Sequence, residues 1–176
     1  SLQADAAAAA AAAADGALRA ALEAASEAID AVRAAGGHAL VTSLGKSGAV
    51  GRRLAASLAS TGARAFYVHA AEWAHGDLGN LAAGRDVLIA LSHSGRTAEL
   101  LRLTELLPQD EVQLIALTGE ADSPLAQRAH VQLTAAVPPG SECVDDLLPT
   151  ASVLAAHHVF NALLCECAAR RELTAA

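Results

Sequence analysis

TSLGKSGAVG, residues 42–51, leaves an apolar run and enters a stretch of small residues suited to the start of a helix. A lysine between glycine and serine in such a turn has three readings: a nucleotide P-loop, a dinucleotide turn, or another kind of phosphate site. A Walker A loop needs a glycine five residues ahead of the Gly45 of Gly-Lys-Ser, and Leu40 stands there. Gly45, Gly48 and Gly51 are spaced G-x-x-G-x-x-G, not G-x-G-x-x-G, and no acidic residue ends the next apolar run to grip a ribose. The third reading is the one that survives.

Working outward, apolar runs recur at 38–44 (HALVTSL), 64–70 (RAFYVHA), 86–92 (DVLIALS), 112–118 (VQLIALT) and 130–135 (HVQLTA). Their hydrophobicity is continuous, as in strands covered on both faces, and the segments between them are long enough for crossover helices. The expected fold class is α/β, a three-layer α-β-α sandwich around a five-stranded parallel sheet. Leu18, Leu22, Ile29 and Val32 recur at helical spacing between Gly16 and Ala35, before AGG stops the helix. A last helix is expected from about Thr150 to Arg171, with Leu154, His158, Ala162 and Cys165 on one stripe.

At 176 residues the chain fits one domain. Its formal charge of −7, with no lysine- or arginine-rich run, lacks the footprint for nucleic acid or an anionic membrane, so neither is an expected partner. Cys143, Cys165 and Cys167 are odd in number and have no framework spacing, so they read as reduced thiols. The alanine tract from Ala6 to Ala14 has strong helix propensity, yet it is too short to span a bilayer and lacks the basic flank of a signal peptide. Ser1 in place of methionine suggests a processed or tagged chain.

Ligands of open parallel sheets bind beyond the carboxyl ends of the strands, where helix N-termini aim N–H groups outward. The third run exits into SHSGRTAEL, residues 92–100, which sets Ser92, Ser94 and Thr97 around Gly95. An isolated serine or threonine there is most simply a helix cap. Three hydroxyls around a glycine, with a similar turn at Gly45, Lys46 and Ser47, instead make a cradle for one phosphate.

The segment from GKSGAVGRRLAASLASTG through HGDLG to SHSGRT resembles the sugar isomerase (SIS) phosphosugar-binding family, in its arabinose 5-phosphate isomerase branch. The likeness spans about Leu40 to Leu173 and divides the chain into an N-terminal helical segment, 1–36, and the SIS domain, 37–176. The branch implies an aldose–ketose isomerase of a phosphorylated sugar with no redox cofactor, often joined to CBS modules that this sequence does not show. Residue by residue, the resemblance assigns Lys46 and His75 to catalysis, with Asp77 beside the histidine. It assigns Gly45, Ser47, Asp77, Ser92, Ser94, Gly95, Thr97 and Thr150 to substrate binding. Two departures stand out: Arg96 occupies the place of a family glutamate, and the acid of the loop before the last helix shifts by one residue, to Glu142.

An enediol route needs a base and a donor or cation for the developing oxyanion. Lys46, the only lysine in the chain, either stabilises that oxygen or holds the phosphate. Glu142 is the expected base, since a carboxylate shielded in a cleft can have a raised pKa, and an ordinary loop glutamate is the competing reading. His75 is the candidate for ring opening. Of His157 and His158, at most one faces a given cleft, and His158 is the candidate. A metal set drawn from His69, His75, Asp77 and His93 matches no ligand motif, so neither metal nor cofactor is expected. The family pattern further implies a homotetramer or homodimer, and the reduced thiols a cytoplasmic location. A non-catalytic phosphosugar sensor is the alternative function, favoured by the S-x-S-G-R-T form of the turn.

Overall fold

The computed structural model describes residues 16–108, 110–145 and 147–172; the alanine tract lies outside them. In chain order the elements are α1 (Gly16–Ala34), β1 (Ala39–Ser43), α2 (Gly45–Ser60), β2 (Ala65–His69), two 3₁₀ turns (Glu72–His75 and Asp77–Asn80), β3 (Val87–Leu91), α3 (Ala98–Leu106), β4 (Gln113–Thr118), α4 (Pro124–Arg128), β5 (Val131–Thr134) and α5 (Ala151–Arg170). All five strands fall inside the five apolar runs. They form one parallel sheet in the order β2-β1-β3-β4-β5. The β2-to-β3 connection is not the expected helix: Gly76, with φ +126°, breaks it into the two 3₁₀ turns.

Continuous hydrophobicity has a simple cause in the three inner strands. Val41, Ile89, Ile115 and Leu117 point into one core with Ile29, Leu54, Leu58, Phe160 and Leu163 of α1, α2 and α5. Leu40, Leu88, Leu114 and Ala116, one residue out of phase, point into a second core with Trp73 and with Leu100, Leu103 and Leu125 of α3 and α4. Successive side chains of a strand alternate faces, so two buried faces demand an apolar residue at every position. The expected three-layer sandwich is the observed fold. Helix α1 shares the first core with the sheet, burying Leu18 and Ile29.

Helix α5 buries Ala155, Val159, Phe160, Leu163 and Cys167, while His158, Ala162 and Cys165 face outward. The stripe expected around His158 is therefore corrected: α5 is apolar on nearly every side, so spacing alone did not select its inner face. By length and composition α5 also qualifies as a membrane span, but 39% of its apolar window is buried inside this domain. Burial raises the Cys167 thiol to about 11, with neighbouring charges secondary, leaving it an inert packing group. Arg171, just past α5, ties three helices together: its Nε donates to Asp30 of α1 at 2.6 Å, and its guanidinium donates to the Thr61 carbonyl and hydroxyl at 2.8 Å.

Candidate active site

Connections from β1 and β3 run to opposite sides of the sheet, which opens a crevice at their carboxyl ends. A cavity of about 600 Å³ lies there. Lys46, Ser47 and Val50 of α2 form one wall, and Ser92 and His93 follow β3. Gly119 and Glu120 follow β4, and Val137 to Gly140 and Glu142 come from the loop after β5. The first turns of α5, through Ser152, Val153 and Ala156, close the side.

Two helix starts at this crevice carry no side-chain cap. Leu44 precedes α2 and Thr97 precedes α3, and neither side chain bonds its helix. The Thr97 hydroxyl pairs instead with Ser92 Oγ at 2.7 Å, and Ser94 Oγ accepts the Arg96 N–H at 3.2 Å. The simple cap reading of Thr97 therefore fails. First-turn N–H groups without partners and a positive helix end favour an anion, and hydroxyls supply further donors. Gly95 makes the second turn possible: its φ is +60°, and a Cβ there would overlap the Ser123 side chain. Gly45 holds φ +56° in the first.

Helix α5 is treated differently. The Glu142 carboxylate accepts the N–H groups of Thr150 at 2.5 Å, Ala151 at 2.8 Å and Ser152 at 3.0 Å, and the Thr150 hydroxyl at 3.2 Å. Burial pushes the Glu142 pKa up, but the Ser152 hydroxyl and the three backbone N–H groups outweigh it and hold the carboxyl at about 2. The expectation of a raised pKa is corrected: this carboxylate is stabilised as an anion by the helix end it caps. Thr150 likewise spends its hydroxyl on Glu142 and on the Cys143 N–H at 3.2 Å, and it does not line the cavity.

The structure thus brings together Lys46, Ser47, Ser92 and Glu142, with Gly45, Ser94, Gly95 and Thr97 in the adjoining turns. It does not bring His75, Asp77 or His158 to this cavity within one chain. His75 borders a separate hollow with Trp73, Glu99 and Arg102. Its loop is anchored by Trp73, whose indole N–H donates to Thr42 Oγ1 of β1 at 2.8 Å. Asp77 faces Asn80 at 3.4 Å. His158 is exposed, while His157 lies 3.5 Å from Arg53 and has a lowered pKa, through burial first and then the charge of Arg53. Arg96 pairs with Glu120 at 3.3 Å, both half exposed. Among the described residues no three His, Cys, Asp or Glu side chains converge as a metal set.

Sequence reasoning missed His93 and Glu120 as cavity residues. The strand-exit rule, applied to β4 as it was to β1 and β3, points to Gly119 and Glu120.

A doubly wound parallel sheet with uncapped helix starts and hydroxyl turns at its switch point defines an α/β domain whose crevice is suited to an anion. Residues 33–165 match the SIS domain family, and the chain belongs to it. It is similar to arabinose 5-phosphate isomerase KdsD of Pseudomonas aeruginosa, 48% identical over 117 residues, which are 66% of this chain and 35% of that protein. The chain therefore spans about a third of the length of the curated relatives it matches. Among solved structures, a Bacteroides fragilis protein described as a phosphosugar isomerase involved in capsule formation superposes with TM-score 0.81 at 32% identity, over 88% of this chain and 81% of that one. A protein of E. coli CFT073 solved in complex with arabinose 5-phosphate superposes with TM-score 0.73 at 33% identity, over 83% and 77%.

Proposed function

We propose that the chain is an aldose–ketose isomerase of a phosphorylated sugar, interconverting arabinose 5-phosphate and ribulose 5-phosphate through an enediol, without metal or redox cofactor. One observation carries the reading: the only lysine sits in the first turn of uncapped α2 and lines, with Ser92 and His93 ahead of uncapped α3, a cavity large enough for a pentose phosphate. The names of the relatives, and the arabinose 5-phosphate complex of one of them, support the substrate class.

In this reading the phosphoryl group is held by Ser47, Ser92, Ser94 and Thr97 and by the first N–H groups of α2 and α3. The carbohydrate extends under Lys46, whose ammonium stabilises the enediolate oxygen. Glu142, an anion well below neutral pH, builds the wall by fixing the start of α5 and is a weak base. His75, Asp77 and His158 enter a site only across a subunit boundary. Val144, Leu147 and Leu148, exposed in the loop beside Glu142, support association as a homodimer or homotetramer. The functional unit is the SIS domain of 37–176 completed by α1, and the free Cys143, Cys165 and Cys167 fit a cytoplasmic location.

The test is incubation with arabinose 5-phosphate and a panel of pentose and hexose phosphates in deuterated water. Ketose formation with deuterium at C1 of the product, and exchange at C2 of the recovered aldose, both abolished by Lys46→Ala, are expected. Phosphosugar binding with neither product nor exchange would contradict the proposal in favour of a sensor.

A further inference from the structure

We propose that His93 is the catalytic group that carries the substrate proton in this cavity, an inference that rests on the isomerase reading above. An enediol isomerisation needs a group that takes a proton from carbon and gives one back. Among the described residues four titratable side chains line the cavity: Lys46, His93, Glu120 and Glu142. Lys46 is a cation and serves the oxyanion. Glu142 is held by three backbone N–H groups at the start of α5. Glu120 is paired with Arg96 at the rim. His93 is left, and its ring has no hydrogen bond among the described residues. Imidazole is the side-chain type that both accepts and releases a proton near neutral pH.

The ring has a built seat. His93 lies between Ser92 and Ser94 of the phosphate turn, and its carbonyl accepts the Gly119 N–H at 2.8 Å, which locks the β3 and β4 exits together. Its imidazole covers Gly119 so closely that a Cβ at that position would overlap Cε1 and Nδ1. Gly119 does not have a positive φ, so its backbone accepts any residue. The three atoms nearest to such a Cβ all belong to the ring of His93.

The step balances. The imidazole takes the C2 proton, the C–H electron pair becomes the C1–C2 double bond, and the carbonyl pair moves onto O1 beside Lys46. The imidazolium then protonates C1, the O2 proton passes to O1, and C2–O2 becomes the ketose carbonyl. No electrons enter or leave.

The test is a kinetic cycle on arabinose 5-phosphate with His93→Gln, His93→Ala, Gly119→Ala and the double variant, each checked for a native circular dichroism spectrum. His93→Gln is expected to lower kcat about 10²- to 10⁴-fold with KM within about threefold, and to suppress deuterium exchange at C2 equally. Gly119→Ala, which displaces the ring, is expected to lower kcat in the native background but by less than about twofold when position 93 is alanine. A histidine that only binds phosphate would raise KM and spare kcat, and that result overturns the proposal. So does an additive cycle. If the unaltered chain neither converts nor exchanges the sugar, the isomerase reading fails and this inference with it. If it does both and His93→Gln keeps kcat, the inference alone fails.

Discussion

Replacing Glu142 with glutamine probes whether this residue is a cap or a base, because the cap leaves a signature in stability that a base does not. Folding lowers its pKa from 4.5 to about 2, worth at most about 3.4 kcal/mol at 1.36 kcal/mol per pH unit. The carboxylate is half-buried, and solvent screening reduces the figure to about 1–2 kcal/mol. Glutamine keeps one acceptor oxygen but loses the charge that the helix end favours. For a chain of this size the loss corresponds to a fall in Tm of roughly 2–8 °C at pH 7. Because the pKa is depressed in the folded state, the contribution is complete above pH 4.5 and is lost as pH falls toward 2. The gap between the two proteins should therefore narrow by about a third to a half by about pH 3.5. Thermal melts of both proteins from about pH 7 to about 3.5 measure it. Equal melting at neutral pH, or a gap that does not change with pH, would refute the assignment of Glu142 as the cap of α5.

Three further outcomes are expected. Gly95→Ala forces a side chain into a left-handed turn and against Ser123; it should cost about 1–3 kcal/mol and weaken phosphate binding, as read by denaturation and by calorimetry with inorganic phosphate. Arg171→Met removes the buried partner of the Thr61 carbonyl and of Asp30, which keeps Arg33 at 3.4 Å and Arg170 at 3.7 Å, and urea unfolding should report a loss of about 1–3 kcal/mol. The lowered pKa of His157 makes the fold less stable as pH drops below 6.5, since the unfolded chain takes up the proton first; His157→Gln should flatten that part of the stability curve.

Much of the fold was legible because the physics that forms it is local in sequence. Strands buried on both faces must be apolar at every position, so β1, β3 and β4 stood out as runs, and the turn chemistry at Gly45 and Gly95 marked the ends proposed to hold phosphate. Illegible features depended on contacts between distant residues. Nothing in the order of residues says that Glu142 reaches over its own loop to the N–H groups of Ala151 and Ser152. The inner face of α5 was hidden because alanine and leucine surround the helix. His93 read only as one member of a metal set that matched no ligand motif; the fold lays its ring on Gly119. The resemblance to a family led to His75, and the position of the last helix to His158; both lie away from the cavity of a single chain.

A crystal structure of the protein with arabinose 5-phosphate tests the central claim most directly. Phosphoryl oxygens are expected within hydrogen-bond distance of Ser47 and Ser92 and the first N–H groups of α2, with the carbohydrate directed toward Lys46 and His93. A sugar phosphate seated instead in the hollow beside His75 and Arg102, with the two glycine turns empty, would contradict it.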